Sequence, residues 1–119
     1  MKRVLIAEDD PYMLDYYKDL FRDLGCVDEV NNASDLVKKV SFGGHYGLIV
    51  TDVQMPPGKT GLDVLPYIRS LRPQIPIVVA SGDHLFEDEV KKLGATSFLK
   101  KGSLYFSREL IAFGERYLK

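Results

Sequence analysis

The sequence predicts an α/β fold in which a five-stranded parallel sheet, in the order 2-1-3-4-5, is covered by helices on both faces. Short apolar runs alternate with amphipathic segments along all 119 residues and make five strand–helix units. The main apolar runs are hydrophobic on both parities, as is typical of strands buried on both faces of a parallel sheet. Five units are also too few for a closed α/β barrel, which needs roughly 250 residues.

The chain length, composition and net charge indicate one domain over residues 1–119 and argue against several classes of function. The chain is 45% hydrophobic, and its formal net charge of -1 argues against broad binding to nucleic acids or anionic membranes. One cysteine and two separated histidines do not predict a zinc site. The first apolar run is four residues long before acids interrupt it, too short for a signal peptide or membrane span. We therefore expect a cytoplasmic protein.

The first strand–helix unit and the second strand follow from local patterns. Val4–Ala7 is predicted to be a buried strand, and Pro11–Leu24 an amphipathic helix with apolar residues every three or four positions. Asp10 is the expected N-cap of this helix, because it directly precedes a proline at the first helical position. Cys26–Val30 contains two acids, which suits a strand at the edge of the sheet.

The middle of the chain carries the most informative strand. Residues 32–34 offer caps for a short second helix that ends before a Gly-Gly pair. Leu48–Thr51 is then predicted as a buried strand that ends on Asp52 and is followed by a Pro/Gly-rich loop. A third helix is predicted over Gly61–Arg72, with Pro66 in or near its first turn.

The last two units again consist of a strand followed by a helix. Ile77–Ala80 is predicted as a strand followed by the polar cluster Ser81-Gly82-Asp83, and His84–Leu93 as a short helix. Thr96–Lys100 is the last predicted strand, and Ser103–Tyr117 the closing helix. With no linker or low-complexity segment between units, the pattern favours a doubly wound, flavodoxin-like sheet with right-handed crossovers.

This topology predicts an acidic pocket at the carboxyl edge of the sheet. The first and third strands lie side by side in the predicted order, so Glu8 and Asp9 after one strand meet Asp52 after the other. Converging carboxylates repel one another and favour a bound cation. An all-oxygen ligand set without His or Cys predicts Mg²⁺, with Mn²⁺ as the alternative ion.

Taken together, these residues resemble the receiver domain of two-component response regulators over essentially the whole chain. The residues that carry the resemblance are Glu8-Asp9 after the first strand, Asp52 with Met55-Pro56 and a later Gly61 after the third, Ser81-Gly82 after the fourth and Lys101 after the fifth. The resemblance implies that Asp52 accepts a phosphoryl group from a histidine kinase or a histidine phosphotransfer protein. Such a domain is a signalling phosphoacceptor, not an enzyme.

The resemblance also implies a metal set. Asp9, Asp52 and the main-chain carbonyl of Gln54 would hold Mg²⁺ directly, and Glu8 would hold a metal-bound water.

Further roles concern the phosphoryl group and its readout. Lys101 and Ser81 would contact phosphoryl oxygens, and Phe98 would occupy the aromatic switch position. The surface of the fourth helix, fifth strand and fifth helix would then bind a downstream target, a missing output domain or a second copy of the chain. No direct nucleic-acid or membrane partner is expected.

Three features depart from the family pattern. Between Pro56 and Gly61 stands one residue more than usual, and Phe98 replaces a frequent tyrosine. Lys101 is followed by Gly102 where the family usually has proline, so the cis X-Pro bond that normally shapes this turn is impossible. We therefore expect a differently shaped turn after Lys101.

Simpler interpretations accompany several of these residues. Asp10 is more simply an N-cap than a metal ligand, and Phe98 is more simply core packing than a switch. Either Ser81 or Asp83 is a candidate cap for the fourth helix. Lys100 competes with Lys101 for the pocket, but strand alternation sends the two side chains to opposite faces.

Parts of the sequence also suggest three other functions. Residues 58–60 end like a nucleotide-binding P-loop, but Val53 stands where that motif needs glycine. An aspartate-nucleophile phosphatase of the haloacid dehalogenase type would need an acid where Gln54 stands. A receiver-like interaction module that works without phosphorylation remains as the main alternative.

Overall fold

The computed structural model describes residues 2–55 and 61–119 and confirms the predicted parallel sheet, in the order β2-β1-β3-β4-β5. The strands are β1 (Arg3–Ala7), β2 (Cys26–Val30), β3 (Tyr46–Asp52), β4 (Ile77–Ser81) and β5 (Ser97–Lys100). The helices are α1 (Pro11–Phe21), α2 (Ala33–Phe42), α3 (Gly61–Leu71), α4 (Glu87–Leu93) and α5 (Phe106–Leu118). Within the described ranges, no helix has both the length and the apolarity needed to cross a bilayer.

Two hydrophobic cores lie on opposite faces of the sheet. Leu5 and Ile49 pack toward α2, α3 and α4, whereas their neighbours Val4 and Leu48 pack toward α1 and α5. Successive strand residues point to opposite faces, so a strand covered on both sides must be apolar at every position. This is why the central strands read as continuous hydrophobic runs.

The helix caps follow the predicted chemistry, but several boundaries differ. The Asp10 carboxylate accepts a hydrogen bond from the Tyr12 amide at 3.0 Å, as an N-cap should. α1 ends at Phe21 instead of Leu24, because the amides of Leu24 and Gly25 both turn back to the Phe21 carbonyl. Leu24 nevertheless stays buried against the α1–α5 core.

The second half of the chain also differs from prediction in detail. Pro66 is the sixth residue of α3, deeper than predicted, and it lies on the exposed side of the helix. The predicted helix over 84–93 is a 3₁₀ turn, His84–Phe86, followed by α4. α5 begins at Phe106 instead of Ser103, because residues 100–103 form a turn.

Candidate functional site

Sheet pairing brings the predicted acids together at the carboxyl edge. Ala7 of β1 lies opposite Thr51 of β3, so the residues that follow them, Glu8 and Asp52, reach the same edge. Carboxylate oxygens of Glu8, Asp9 and Asp52 lie within 4.8 Å of one another. Residues more than forty positions apart thus form one acidic cluster.

Lys101 bridges two of these acids. Its Nζ lies 2.5 Å from Glu8 Oε1 and 2.9 Å from Asp52 Oδ2. The side chain is 19% exposed, so both ion pairs are largely withdrawn from solvent. Lys100, the competing lysine, is exposed at the end of β5.

Glu8 is a buried carboxylate whose oxygens all have partners. It is 1% exposed, and its Oε2 accepts hydrogen bonds from the backbone amides of Asp9 (3.1 Å) and Asp10 (3.2 Å). Burial raises the pKa of Glu8 above its ordinary value, although the ammonium of Lys101 opposes this shift. Glu8 therefore holds the lysine and the start of the β1–α1 loop in place.

The pKa of Lys101 is set by burial on one hand and by its two acidic partners on the other. Burial by itself lowers the pKa of an ammonium, but the hydrogen bonds and charges of Glu8 and Asp52 outweigh it. The pKa of Lys101 consequently lies above its ordinary value. The lysine stays charged throughout the physiological range.

An open cleft of about 450 Å³ lies above the cluster. The residues that line it are Asp9, Asp52, Gln54, Ser81, Gly82, Asp83, Phe86 and Lys101. A larger cleft of about 680 Å³ lies over β2 and α2, but the acidic cluster does not line it. Chemistry, and not size, therefore marks the smaller cleft as the candidate site.

Ser81 and Gln54 complete the cleft. Ser81, at the end of β4, is 7% exposed, and its Oγ accepts a hydrogen bond from the Asp83 amide at 3.2 Å. The Gln54 amide donates to Asp52 Oδ1 at 3.3 Å and steadies that carboxylate. The Asp83 carboxylate is occupied as a cap, because it accepts from the Leu85 amide at 2.9 Å.

Phe98 lies apart from the cleft. It is 8% exposed and belongs to the core between the sheet and α2, α3 and α4, where Val90 of α4 is also buried. This position supports the packing interpretation, and a switch role for Phe98 stays a prediction. Phe86 is partly buried against the same core and also lines the cleft, a place at the site that its sequence pattern does not predict. Its position five residues after Ser81, just beyond the strand end, was the available signal.

The turn after Lys101 has the altered shape that the glycine predicted. Gly102 has a φ of +82°, and the Ser103 amide donates to the Lys100 carbonyl at 3.2 Å. The Lys101 amide donates to the Ser81 carbonyl at 2.8 Å, which ties the turn to β4. The predicted extra loop residue between Pro56 and Gly61, and the P-loop-like residues 58–60, lie outside the described residues.

The donor set suits a divalent cation. Three carboxylates face one ammonium, so negative charge is in excess, and every side-chain ligand of the acidic cluster is an oxygen, as Mg²⁺ prefers. Asp9 and Asp52 line the open cleft, whereas the Glu8 oxygens are already bonded. The carboxylate of Asp52, held beside a lysine, is also positioned to act as a nucleophile.

Comparison with known proteins points in one direction. The family model described as the response regulator receiver domain matches residues 4–109. The DNA-binding transcriptional regulator NtrC of Azospirillum brasilense is 35% identical over 118 residues, which cover 97% of this chain and 24% of that protein. The chain thus spans about a quarter of the length of this curated relative.

Solved structures of response regulators superpose on this chain. A CheY-like response regulator receiver domain protein from Methanospirillum hungatei JF-1 superposes with a TM-score of 0.85 at 25% identity, covering 99% of this chain and 94% of that one. The response regulator protein TrrA from Thermotoga maritima, solved in complex with Mg(2+)-BeF, superposes with a TM-score of 0.81 at 25% identity. That match covers 94% of this chain and 96% of the TrrA chain.

Proposed function

Because this chain belongs to the response regulator receiver domain family, we propose that Asp52 accepts a phosphoryl group from a phosphohistidine in a Mg²⁺-dependent reaction. Receiver domains are signalling phosphoacceptors that work in phosphorelays with histidine kinases and output domains. The observation that carries the proposal is the ammonium of Lys101, which lies 2.9 Å from Asp52 at the open cleft. This arrangement supplies a nucleophile, a fixed positive charge and room for a phosphoryl group.

The proposed metal set combines carboxylates that line the cleft with a main-chain carbonyl that the family resemblance implies. Asp9, Asp52 and the main-chain carbonyl of Gln54 would hold Mg²⁺ or Mn²⁺, and Glu8 would act through a metal-bound water. The acidic cluster supports this set, as does the similarity to TrrA, whose structure contains Mg(2+)-BeF. When bound, the ion neutralises negative charge on the carboxylates and phosphoryl oxygens.

The transfer step uses the carboxylate of Asp52. One of its oxygens attacks phosphorus, the phosphorus–nitrogen bond of the phosphohistidine breaks, and its electron pair returns to the imidazole, which takes a proton from solvent. Lys101 keeps its proton and places its ammonium against the charge that develops on the phosphoryl oxygens. Its raised pKa supports this role, because a charged lysine is needed at every working pH.

Ser81 connects the phosphoryl group to the signalling surface. Its hydroxyl would donate to a phosphoryl oxygen and so change the contact it now accepts from the Asp83 amide. α4 follows this segment and, among its residues, all of which are described, buries only Val90. A helix held by so few core contacts can shift at low energetic cost.

The surface that such a shift would change is formed by α4, β5 and α5. We propose that phosphorylation adjusts this surface for a target protein, an output domain or a second copy of the chain. Phe98, which shares a buried core with Val90 of α4, would follow the shift. The proposal involves no nucleic-acid or membrane partner and places the protein in the cytoplasm.

Labelling with a small phosphodonor tests the proposal. Incubation with phosphoramidate and Mg²⁺ should add one phosphoryl group to the intact mass, and EDTA should prevent the addition. Asp52→Asn should abolish labelling. Asp10→Asn is the control: it replaces a nearby acid with another capping residue, and this variant should label fully. Labelled Asp52→Asn protein would identify another acceptor and contradict the proposal.

Two further assays separate the alternative functions. An aspartate-nucleophile phosphatase would turn over many equivalents of a phosphomonoester, whereas a receiver domain would not. A phosphorylation-independent interaction module would bind its target equally well with and without beryllofluoride.

A further inference from the structure

A type II β-turn follows β5 directly. The Ser103 amide donates to the Lys100 carbonyl at 3.2 Å, so residues 100–103 are the four positions of a β-turn. Gly102, at the third position, has a φ of +82°, and among the described residues only glycines have positive φ. Lys101, at the second position, therefore has a negative φ. This combination is typical of a type II turn.

We infer that Gly102 is a positioning residue for phosphoryl acceptance, because its left-handed backbone aims Lys101 at the acidic cluster. Two backbone hydrogen bonds hold the turn: Lys101 donates to the Ser81 carbonyl at 2.8 Å, and Ser103 donates to Lys100. The Lys101 side chain leaves the turn between these two anchors and spans Glu8 and Asp52. The inference rests on the proposed function of Asp52.

Glycine is the residue that this geometry demands. An L-residue at the third position of a type II turn carries a left-handed penalty that corresponds to roughly 5- to 30-fold in population. Proline, with φ near -65°, reaches the third position of a turn only with a cis bond, in a type VI turn. The chain thus brings its lysine to the acids with a glycine turn where related domains usually have proline.

A substitution at Gly102 can change the backbone conformation without causing a steric clash. A Cβ added at Gly102 would meet no atom within 4 Å, so a substitution there acts through the backbone and not through a clash. Gly44, in the loop between α2 and β3, provides a matched control with a φ of +110°. A Cβ there would meet only Arg3 Nη1, at an ordinary distance of 3.8 Å.

The experiment compares Gly102→Ala, Gly102→Asn and Gly44→Ala with the wild type. For each protein, the initial rate of labelling by phosphoramidate at saturating Mg²⁺, the Mg²⁺ dissociation constant and unfolding in urea are measured. Gly102→Ala should label roughly tenfold more slowly, in line with the left-handed penalty, and Gly102→Asn should recover most of the rate because asparagine tolerates this conformation. Gly102→Ser replaces the alanine variant if the latter does not fold.

Two readouts distinguish positioning from a loss of stability. Gly44→Ala should lose comparable stability and label at the wild-type rate, and Mg²⁺ affinity should be similar in all four proteins because Asp9 and Asp52 are unchanged. Wild-type labelling rates in Gly102→Ala, or equal slowing in Gly44→Ala, would overturn the inference alone. Failure of the wild type to label would overturn the proposed function and the inference with it.

Discussion

Replacing Lys101 by methionine should destabilise the metal-free protein strongly. Methionine keeps the length and apolar stem of the side chain but removes the ammonium that bridges Glu8 and Asp52. Glu8, at 1% exposure, would then be a buried carboxylate without its counter-ion, next to a second carboxylate. The substitution therefore tests whether this lysine holds the acidic cluster together.

The expected magnitude follows from burial. Removing one partner of a buried ion pair typically costs about 3–5 kcal/mol. Because the Lys101 side chain keeps 19% exposure, solvent partly screens the pair and the lower end is expected, about 3 kcal/mol. For a chain of 119 residues this corresponds to a fall in Tm of about 12 °C.

The loss should depend on pH in a defined direction. The pKa of Glu8 in the folded protein already lies above its ordinary value of 4.5, and loss of Lys101 should raise it further. A folded carboxyl with a raised pKa binds more protons than the unfolded one, so stability falls as pH rises through this window. The difference between variant and wild type should therefore shrink as pH is lowered from 7 toward 4.5.

Urea unfolding followed by circular dichroism provides the assay, since the chain contains no tryptophan. Measurements in EDTA at pH 5 and pH 7 prevent a divalent ion from replacing the lysine. The double variant with Glu8→Gln removes the stranded charge and should recover much of the lost stability. A destabilisation of Lys101→Met below about 1 kcal/mol at pH 7, or one that does not change with pH, would refute the reasoning.

Substitutions at three further positions test other parts of the structure. Asp10→Ala removes the cap on the Tyr12 amide and should cost about 1 kcal/mol in urea unfolding, whereas Asp10→Asn should cost little. Gly61→Ala would place its Cβ 2.2 Å from the Asp52 carbonyl oxygen, so we expect at least about 2 kcal/mol of destabilisation and slower labelling. Arg69 donates five hydrogen bonds to four backbone carbonyls around the ends of α3 and α4. Arg69→Lys, which lacks the planar fork, should cost about 2 kcal/mol or more, and a smaller loss would contradict this role.

Much of the fold could be predicted because the information is local. Hydrophobic periodicity distinguishes strands from helices, and proline, glycine and capping acids mark their ends within a few residues. The strand–helix rhythm then leaves few topologies, which is why the sheet order was predictable. The helix ends at Phe21 and Phe106 were missed, because backbone hydrogen bonds in the adjoining turns decide them.

For the candidate site, too, local features could be predicted from the sequence and long-range contacts could not. Its residue types and their places after strands one, three, four and five are evident from the sequence, since ligands bind at the carboxyl edge of such sheets. Contacts among these residues are not evident, because Lys101 meets Glu8 across 93 positions and Asp52 across 49. The burial of Glu8 and the place of Phe98 in the core likewise depend on packing between distant elements.

The sequence by itself thus determined the α/β sheet, the acids at its edge and the need for an unusual turn at Gly102. Only the tertiary structure decided that Lys101 bridges Glu8 and Asp52, and that the turn is of type II. The physical reason for this difference is the distance along the chain between the residues that interact. Spacing along the chain encodes local conformation, whereas ion pairs and burial arise only when the folded sheet brings distant residues together.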